Sequence, residues 1–509
     1  MAQQLQNITV QAPGFAGINS QDSPVSIDQS FAATASNCII DEYGRIGARK
    51  GYTEVSTDSS TATQLGTSRG VEAVHEYVKR DGTKTVFSAG NNKIFTGTTT
   101  LTPVTLPVGY TITANNWKII TFNNDVYFFQ RGHKALKSTA GSTTLVEVVD
   151  GSHYAPEANE VIGGFGKLWA ADVSGNKHTV YWSDTLFGIN WHGGTSGSLD
   201  LTNVFPSGDD EVVALSVLNN FLVIFCKRSI IVYSGAESPA TMQLADTVEG
   251  VGCIARDSVQ NTGTDIIFLS EDGVRSFGRT IQEKSMPMRD ISNNVRTELT
   301  ALVRSQLNPI KSIYSADEAF YLLSLQDSQT VYCFDMRTTL PDGANRVTTW
   351  ASVNPRSLAL LQDGSVYFGR EDGIFKYEGY QDNGSSYLMS YYSNPLNFGN
   401  STNLKFLKKF NITVIGNVAS KTTLAWGYDY DGGFTKKAFS TDLTNTPISE
   451  FNIAEFSIGK YTIGIDIQRP KINTSGSGTV VTIGIESTID GAPYSIQQID
   501  VHALLGRLI

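Results

Sequence analysis

Residues 265–279 read DIIFLSEDGVRSFGR, and residues 358–379, LALLQDGSVYFGREDGIFKYEG, repeat the same grammar about a hundred positions later. Each is a short apolar run, a Gly-containing turn and a second apolar run. Glu-Asp-Gly stands ahead of Val274 and Phe277 in one copy and ahead of Ile374, Phe375 and Tyr377 in the other. Asp-Gly between apolar runs is a strong hairpin signal, because glycine tolerates the positive φ of a tight turn. The chain therefore reads as a repeat of hairpins.

Working outward, seven units of this kind occupy residues 71–97, 117–132, 161–191, 212–235, 252–279, 312–337 and 357–379. Anchored on an outer aromatic strand at Phe95, Tyr127, Tyr181, Tyr233, Phe277, Tyr332 and Tyr377, they are spaced by 32, 54, 52, 44, 55 and 45 residues. A four-stranded propeller blade needs about 40–50 residues. The fold expected is all-β: a six- or seven-bladed β-propeller over 68–380, with an N-terminal arm (1–67) whose strands join it and a C-terminal β-sandwich over 381–509. The hairpin at 36–52 is expected to complete the first blade, so that the joined chain ends leave few open edges. Runs such as LVIFC (222–226) and FYLLSL (320–325) are too apolar for a sheet wetted on one face, so blades must stack on one another.

One interruption is helical. In ISNNVRTELTALVRSQ (291–306), Val295, Leu299, Leu302 and Val303 recur at helical spacing, Ser292 stands where an N-cap belongs, and Pro309 lies beyond the end. A packing or partner-contact helix inserted between blades is expected here. After residue 380 the strands lengthen, and period-two alternation over 409–415 and 461–468 marks a sheet with one buried face.

Composition narrows the function. Asp+Glu 49 against Lys+Arg 39 gives a net charge of −10, which argues against a clamp on nucleic acid, since that work requires neutralising phosphates. Cys38, Cys226, Cys253 and Cys333 form no zinc or disulfide framework and read as small buried hydrophobes of a chain made in a reducing compartment. Neither a signal peptide nor an 18-residue apolar span is visible, so no membrane span is expected.

Chemistry-bearing motifs are sparse. His75, His133, His153, His178, His192 and His502 are scattered. Gly163, Gly164 and Gly166 precede Lys167, but strand-like LWAADV follows where a phosphate cradle would require a helix. GYDYDGG (427–433) places Asp429 and Asp431 near turn glycines without the spacing of a calcium loop. Asp41, Glu271, Asp272, Glu371 and Asp372 are paired-carboxylate candidates for a glycosidase, although their positions beside turn glycines already account for most of them. The reading is of a non-enzyme with no catalytic, cofactor-binding or metal-binding residues.

The segment NCIIDEYGRIGARKGYTEV (37–55), the hairpin series, the 291–306 helix and the long-stranded C-terminus together resemble the tail hub or nozzle proteins of short-tailed bacteriophages, tail tubular protein B and packaged-DNA stabilisation proteins among them. The residues carrying the resemblance are Asn37, Cys38, Gly44, Arg49, Gly51 and Tyr52. It implies a structural virion tail protein made in the host cytoplasm, a homo-oligomer of about six copies around the DNA ejection channel. Its implied partners are an adaptor or portal-proximal protein, tail fibres or a needle, and genomic DNA in transit without sequence-specific binding. A second reading is a carbohydrate-binding adhesin or receptor-recognition propeller, with Trp182, Trp191 and Trp350 as stacking platforms.

Overall fold

The Glu-Asp-Gly turn at 271–273 joins the antiparallel strands Ile266–Ser270 and Gly273–Ser276, with Gly273 at φ +132°. A Cβ there would meet Ser292 Oγ at 2.4 Å, so glycine is also required for the close approach of the helical segment. The computed structural model describes residues 5–508 apart from 25, 59–62, 67–69, 207, 284–289, 401, 417–419, 430–432 and 442–465.

The hairpins close into a propeller. Its innermost strands are Val71–Val78, Lys118–Phe122, Ala158–Gly164, Val212–Leu218, Gln260–Asn261, Lys311–Ser315 and Ser357–Leu360, called blades 1 to 7 in that order. Consecutive innermost strands are neighbours all the way round, the last returning to the first. Six blades are separate sheets, and blade 6 (Lys311–Ser315, Phe320–Leu325, Thr330–Thr339, Asn345–Ala351) opens a ten-stranded sheet. Stacking buries both faces as the apolar runs require: Phe87 meets Phe128 between blades 1 and 2 at 5.3 Å, and Phe225 meets Phe268 between blades 4 and 5 at 5.0 Å.

Closure differs from expectation. The strand Tyr52–Glu54 pairs antiparallel with Ile374–Tyr377 and completes the last blade, not the first. Tyr52 does this because its ring packs edge-on to Phe368 and Phe375 (5.5 and 5.4 Å). Just upstream, the fully buried Arg49 donates to both Asp382 carboxylate oxygens (2.8 and 2.7 Å) and to Asn37 Oδ1 (2.9 Å), and stacks over Tyr387 at 4.1 Å. Gly51 is pressed so close to Gln381 that a Cβ would lie 1.9 Å from its carbonyl oxygen. The residues Asn37, Arg49, Gly51 and Tyr52 thus form the joint between propeller and sandwich.

The sandwich draws on both ends of the chain. One sheet unites Leu5–Gln11, Cys38–Ile40 and Ile46–Ala48 with Asn403–Gly416 and Tyr494–Leu508. The other continues blade 6 through Gly17–Ile18 and Phe31–Ser36 into Tyr387–Ser393, Val481–Ile489, Ser420–Tyr428 and Thr435–Thr441. Ile8, Ile46, Phe410 and Ile412 face Tyr391, Leu424, Trp426 and Ile485 across one core, which also takes in Val295 and Leu299 of the helical segment. Phe410, Ile412 and Val414 are buried at alternate positions, whereas most of the 461–468 alternation falls outside the described residues.

Three local expectations are corrected. Phe277 begins the helix Phe277–Glu283 where an outer strand was expected, because Asp265 accepts from the Gly278 N–H (2.8 Å) and the Ser276 hydroxyl and turns the chain there. Tyr127 lies on the second strand of its blade, Asp125–Gln130, while the third is His133–Thr139; this accounts for the short spacing before it and the long one after. Ser292 precedes a 3-10 turn, Asn293–Val295, that leads into the helix Arg296–Arg304, but makes no side-chain cap; its Oγ accepts from the Val274 N–H at 2.9 Å and fastens the segment to blade 5.

Candidate recognition surface

The propeller axis is filled by charge. Asp257, in the 3-10 turn Arg256–Ser258, accepts from Arg256 Nε (2.9 Å), Arg256 Nη2 (2.8 Å) and Lys311 Nζ (2.8 Å). The same guanidinium donates to Asn159 O (2.7 Å) and Asn116 Oδ1 (2.8 Å), so it ties together blades 2, 3 and 5. Lys118 pairs with Glu160 at 3.2 Å. Burial alone would raise Asp257, but Arg256, Lys311 and Lys118 together hold its carboxyl well below the ordinary range. Burial raises Glu160 despite Lys118 and lowers Lys311 despite Asp257. A cavity of about 180 Å³ beside the cluster is lined by Glu72, Trp117, Lys118, Asp257 and Lys311. Arg256, Lys118 and Lys311 are each paired with Asp257 or Glu160, and these pairs join blades 2, 3, 5 and 6, so the cluster acts as a clamp between blades.

The residues singled out in the sequence do not converge. Glu271 and Asp272 lie in blade 5, Glu371 and Asp372 in blade 7; Asp272 pairs with Arg275, Glu371 with Arg356 and Asp372 with Arg370, while Asp41 holds Arg45 in the sandwich. The Lys167 ammonium is buried against Thr185 Oγ1 (2.7 Å), Ser183 O and Thr195, which leaves no cradle for phosphate. Asp429 accepts from the Thr479 hydroxyl (2.6 Å), and Asp431 lies outside the described residues. Among the described residues no group of three or more His, Cys, Asp or Glu is placed to hold a metal ion, and no helix is long and apolar enough to cross a membrane. The four thiols are buried, and burial pushes Cys253 up to about 11.

The tryptophans are not a stacking platform. Trp182 and Trp350 lie in the core, their indole N–H groups donating to Thr195 O and Cys38 O (both 2.9 Å). Trp191 is half-buried against Phe129 and donates to Gly188 O. These rings were spent on packing because each sits on a strand or loop facing a neighbouring blade.

Exposed rings occur elsewhere, on the face where the innermost strands end. Three two-residue turns lie side by side there: Asn123-Asn124 (φ 45° and 68°), Phe165-Gly166 (54° and 70°) and Asn219-Asn220 (48° and 64°), in blades 2, 3 and 4. Paired positive φ is the type I′ signature, which asparagine tolerates better than other side chains. The loop 183–196 folds down beside them. Asp184 pins it by accepting from the Thr195 hydroxyl (2.7 Å) and the N–H groups of Thr195 and Thr185 (2.9 and 2.8 Å), bonds that hold its carboxyl below the usual range. Leu186 N–H donates to Gly166 O (2.8 Å), and Asn123 Nδ2 donates to Leu186 O (2.9 Å). Gly188 has no room for a side chain, since a Cβ would lie 2.6 Å from Tyr127 Oη.

Fixed in this way, Leu186 (55% exposed), Phe187 (62%) and Phe221 (39%) present apolar surface to solvent, with exposed Asn123, Asn219 and Asn220 among them. Gly164 approaches Val217 so closely that the blade 3 and blade 4 turns form one continuous rim. Clustered apolar groups rimmed by polar ones mark interaction sites. Sequence reading missed these residues; the signals available were the Asn-Asn pairs between apolar runs and the Leu-Phe pair inside a glycine-containing loop.

Comparison with known proteins finds no matching family model and no matching curated protein. Among solved structures, the chain is similar to the extracellular domain of a putative hybrid two component system from B. thetaiotaomicron (TM-score 0.42, 10% identity, 67% of this chain and 41% of that one). A second structure of that domain, described as a putative one component system, gives 0.40, 11%, 65% and 40%. The WD40 β-propeller domain of Doa1 gives 0.36, 12%, 64% and 96%. The chain spans about two-fifths of the length of the two bacterial domains. The expectation of a phage tail hub or nozzle around a DNA ejection channel is corrected by these neighbours, which are bacterial extracellular and WD40 propeller domains.

Proposed function

We propose that the protein is a non-enzymatic recognition propeller that binds a glycan through the rim of blades 2 to 4. The observation that carries this reading is the pair of solvent-facing rings, Phe187 and Phe221, held on tight turns among exposed asparagine amides. An aromatic face covers the apolar face of a sugar ring, and amides next to it match its hydroxyls. Preformed backbone lowers the ordering cost of binding, and the Asp184-pinned loop supplies it. The axial clamp supports a scaffold role for the channel, because its charged groups are committed to one another.

A glycan array probed with the wild-type protein and with the Phe187→Ala/Phe221→Ala double variant tests the reading. Wild type should retain a restricted set of glycans, and the double variant should lose at least about tenfold in affinity with its thermal midpoint unchanged. Retention of no glycan, or binding indifferent to both rings, overturns it.

A further inference from the structure

We infer that the rim selects glycans carrying a carboxylate and that Arg80 is the side chain that reads it. The inference rests on the glycan reading of the rim and names the chemical class of its ligand. Arg80 lies in the turn that joins the first two strands of blade 1, beside the blade 2 turn on the same face. Its exposed guanidinium reaches Asn123 Oδ1 at 3.4 Å, and the amide nitrogen of the same Asn123 holds the Leu186 carbonyl at 2.9 Å. One asparagine therefore sets both a cation and the residue preceding the exposed Phe187.

The neighbouring cations are differently placed. Lys79 pairs with Asp81 (3.4 Å), Lys84 with Glu76 (3.4 Å) and Lys137 with Asp125 (3.1 Å). Among the described residues, the Arg80 guanidinium is bonded only to this neutral amide oxygen, at the long end of hydrogen-bonding distance. A guanidinium presents a planar fork of donors that matches a carboxylate in bidentate fashion. A uronic or sialic acid with its ring on Phe187 would direct its carboxylate to this fork. On a chain of net charge −10, an acidic ligand meets a net repulsion that weakens as salt is added. A local cation is then the feature that would admit it.

Matched pairs of glycans test this: glucuronate- against glucose-terminated, galacturonate- against galactose-terminated, and sialylated against desialylated chains, titrated by calorimetry. Wild type should favour the acidic member of at least one pair by about tenfold or more. Arg80→Gln should abolish that preference while leaving neutral-glycan affinity and the thermal midpoint unchanged, and Arg80→Lys should restore it in part. Equal wild-type affinity for both members, or a preference that survives Arg80→Gln, overturns the carboxylate inference and leaves the glycan reading standing. Binding of neither member of any pair overturns the carboxylate inference, and the array result alone then decides the glycan reading.

Discussion

Replacing Asp257 by asparagine removes one charge from the axial clamp and keeps the side-chain volume. Arg256 and Lys311 lose the carboxylate that receives three of their hydrogen bonds, and both side chains are under a tenth exposed. Breaking a buried ion pair from one side costs about 3–5 kcal/mol; Glu160 and Glu72 remain nearby as partial counter-charges, which places Asp257→Asn near 3 kcal/mol. At roughly 1 °C per kcal/mol for a chain of 509 residues unfolding as one unit, the thermal midpoint at pH 7 should fall by about 3 °C, read by circular dichroism. Asp272→Asn, which frees Arg275 from an exposed carboxylate, should cost under about 1 kcal/mol.

The pH dependence carries the sign. Asp257 titrates below its ordinary value when folded, so its contribution is complete above about pH 5 and is lost as pH falls toward the depressed folded value. Wild type should therefore lose more stability than Asp257→Asn between roughly pH 5 and pH 2. In an Asp257→Asn/Lys311→Met double variant the two losses should be sub-additive by about 1 kcal/mol or more, because the second change removes a cation the first left unpaired. A midpoint for Asp257→Asn no lower than that of Asp272→Asn, or strictly additive losses, would refute the clamp.

Further outcomes follow from packing. Gly51→Ala should destabilise the protein by about 2 kcal/mol or more in denaturant titration, since backbone must move to relieve a 1.9 Å contact at the closing strand; a neutral result would show that the joint yields. Phe225→Asp should destabilise by several kcal/mol, because the ring is fully buried in an apolar cluster against Phe268 and Phe277 and the substitution would bury a charge there. A thiol reagent at pH 8 should label none of the four cysteines in the folded protein and all four after denaturation; fast labelling of any one under native conditions would contradict its burial.

The propeller was legible because its information is local. Gly273, Gly364 and the apolar runs on either side state a hairpin in a few residues, and seven repetitions leave a ring as the economical way to bury both faces. Long-range choices were not legible. Nothing in Tyr52-Thr53-Glu54 distinguishes pairing with blade 1 from pairing with blade 7; the decision lies with Phe368, Phe375 and the Gly51 contact. Likewise, strand alternation cannot tell that blade 6 runs on into the sandwich through Gly17–Ile18. The rim was missed for a related reason. Whether an aromatic side chain packs or faces water depends on its neighbours, so Trp182 and Trp350 suggested a surface while Phe187, in a loop rich in Gly and Asn, suggested none.

The blade 7 seam has a consequence for synthesis. Blades 1 to 4 consist of strands close in sequence and can assemble on a growing chain as each leaves the ribosome. Thr53, by contrast, emerges early and must wait for Lys376, and Leu5–Gln11 waits still longer for Tyr494–Leu508. During that interval unpaired strand edges trail from a half-built wheel and are open to capture by a neighbouring nascent chain. The seam is therefore the part of this protein that synthesis leaves incomplete the longest.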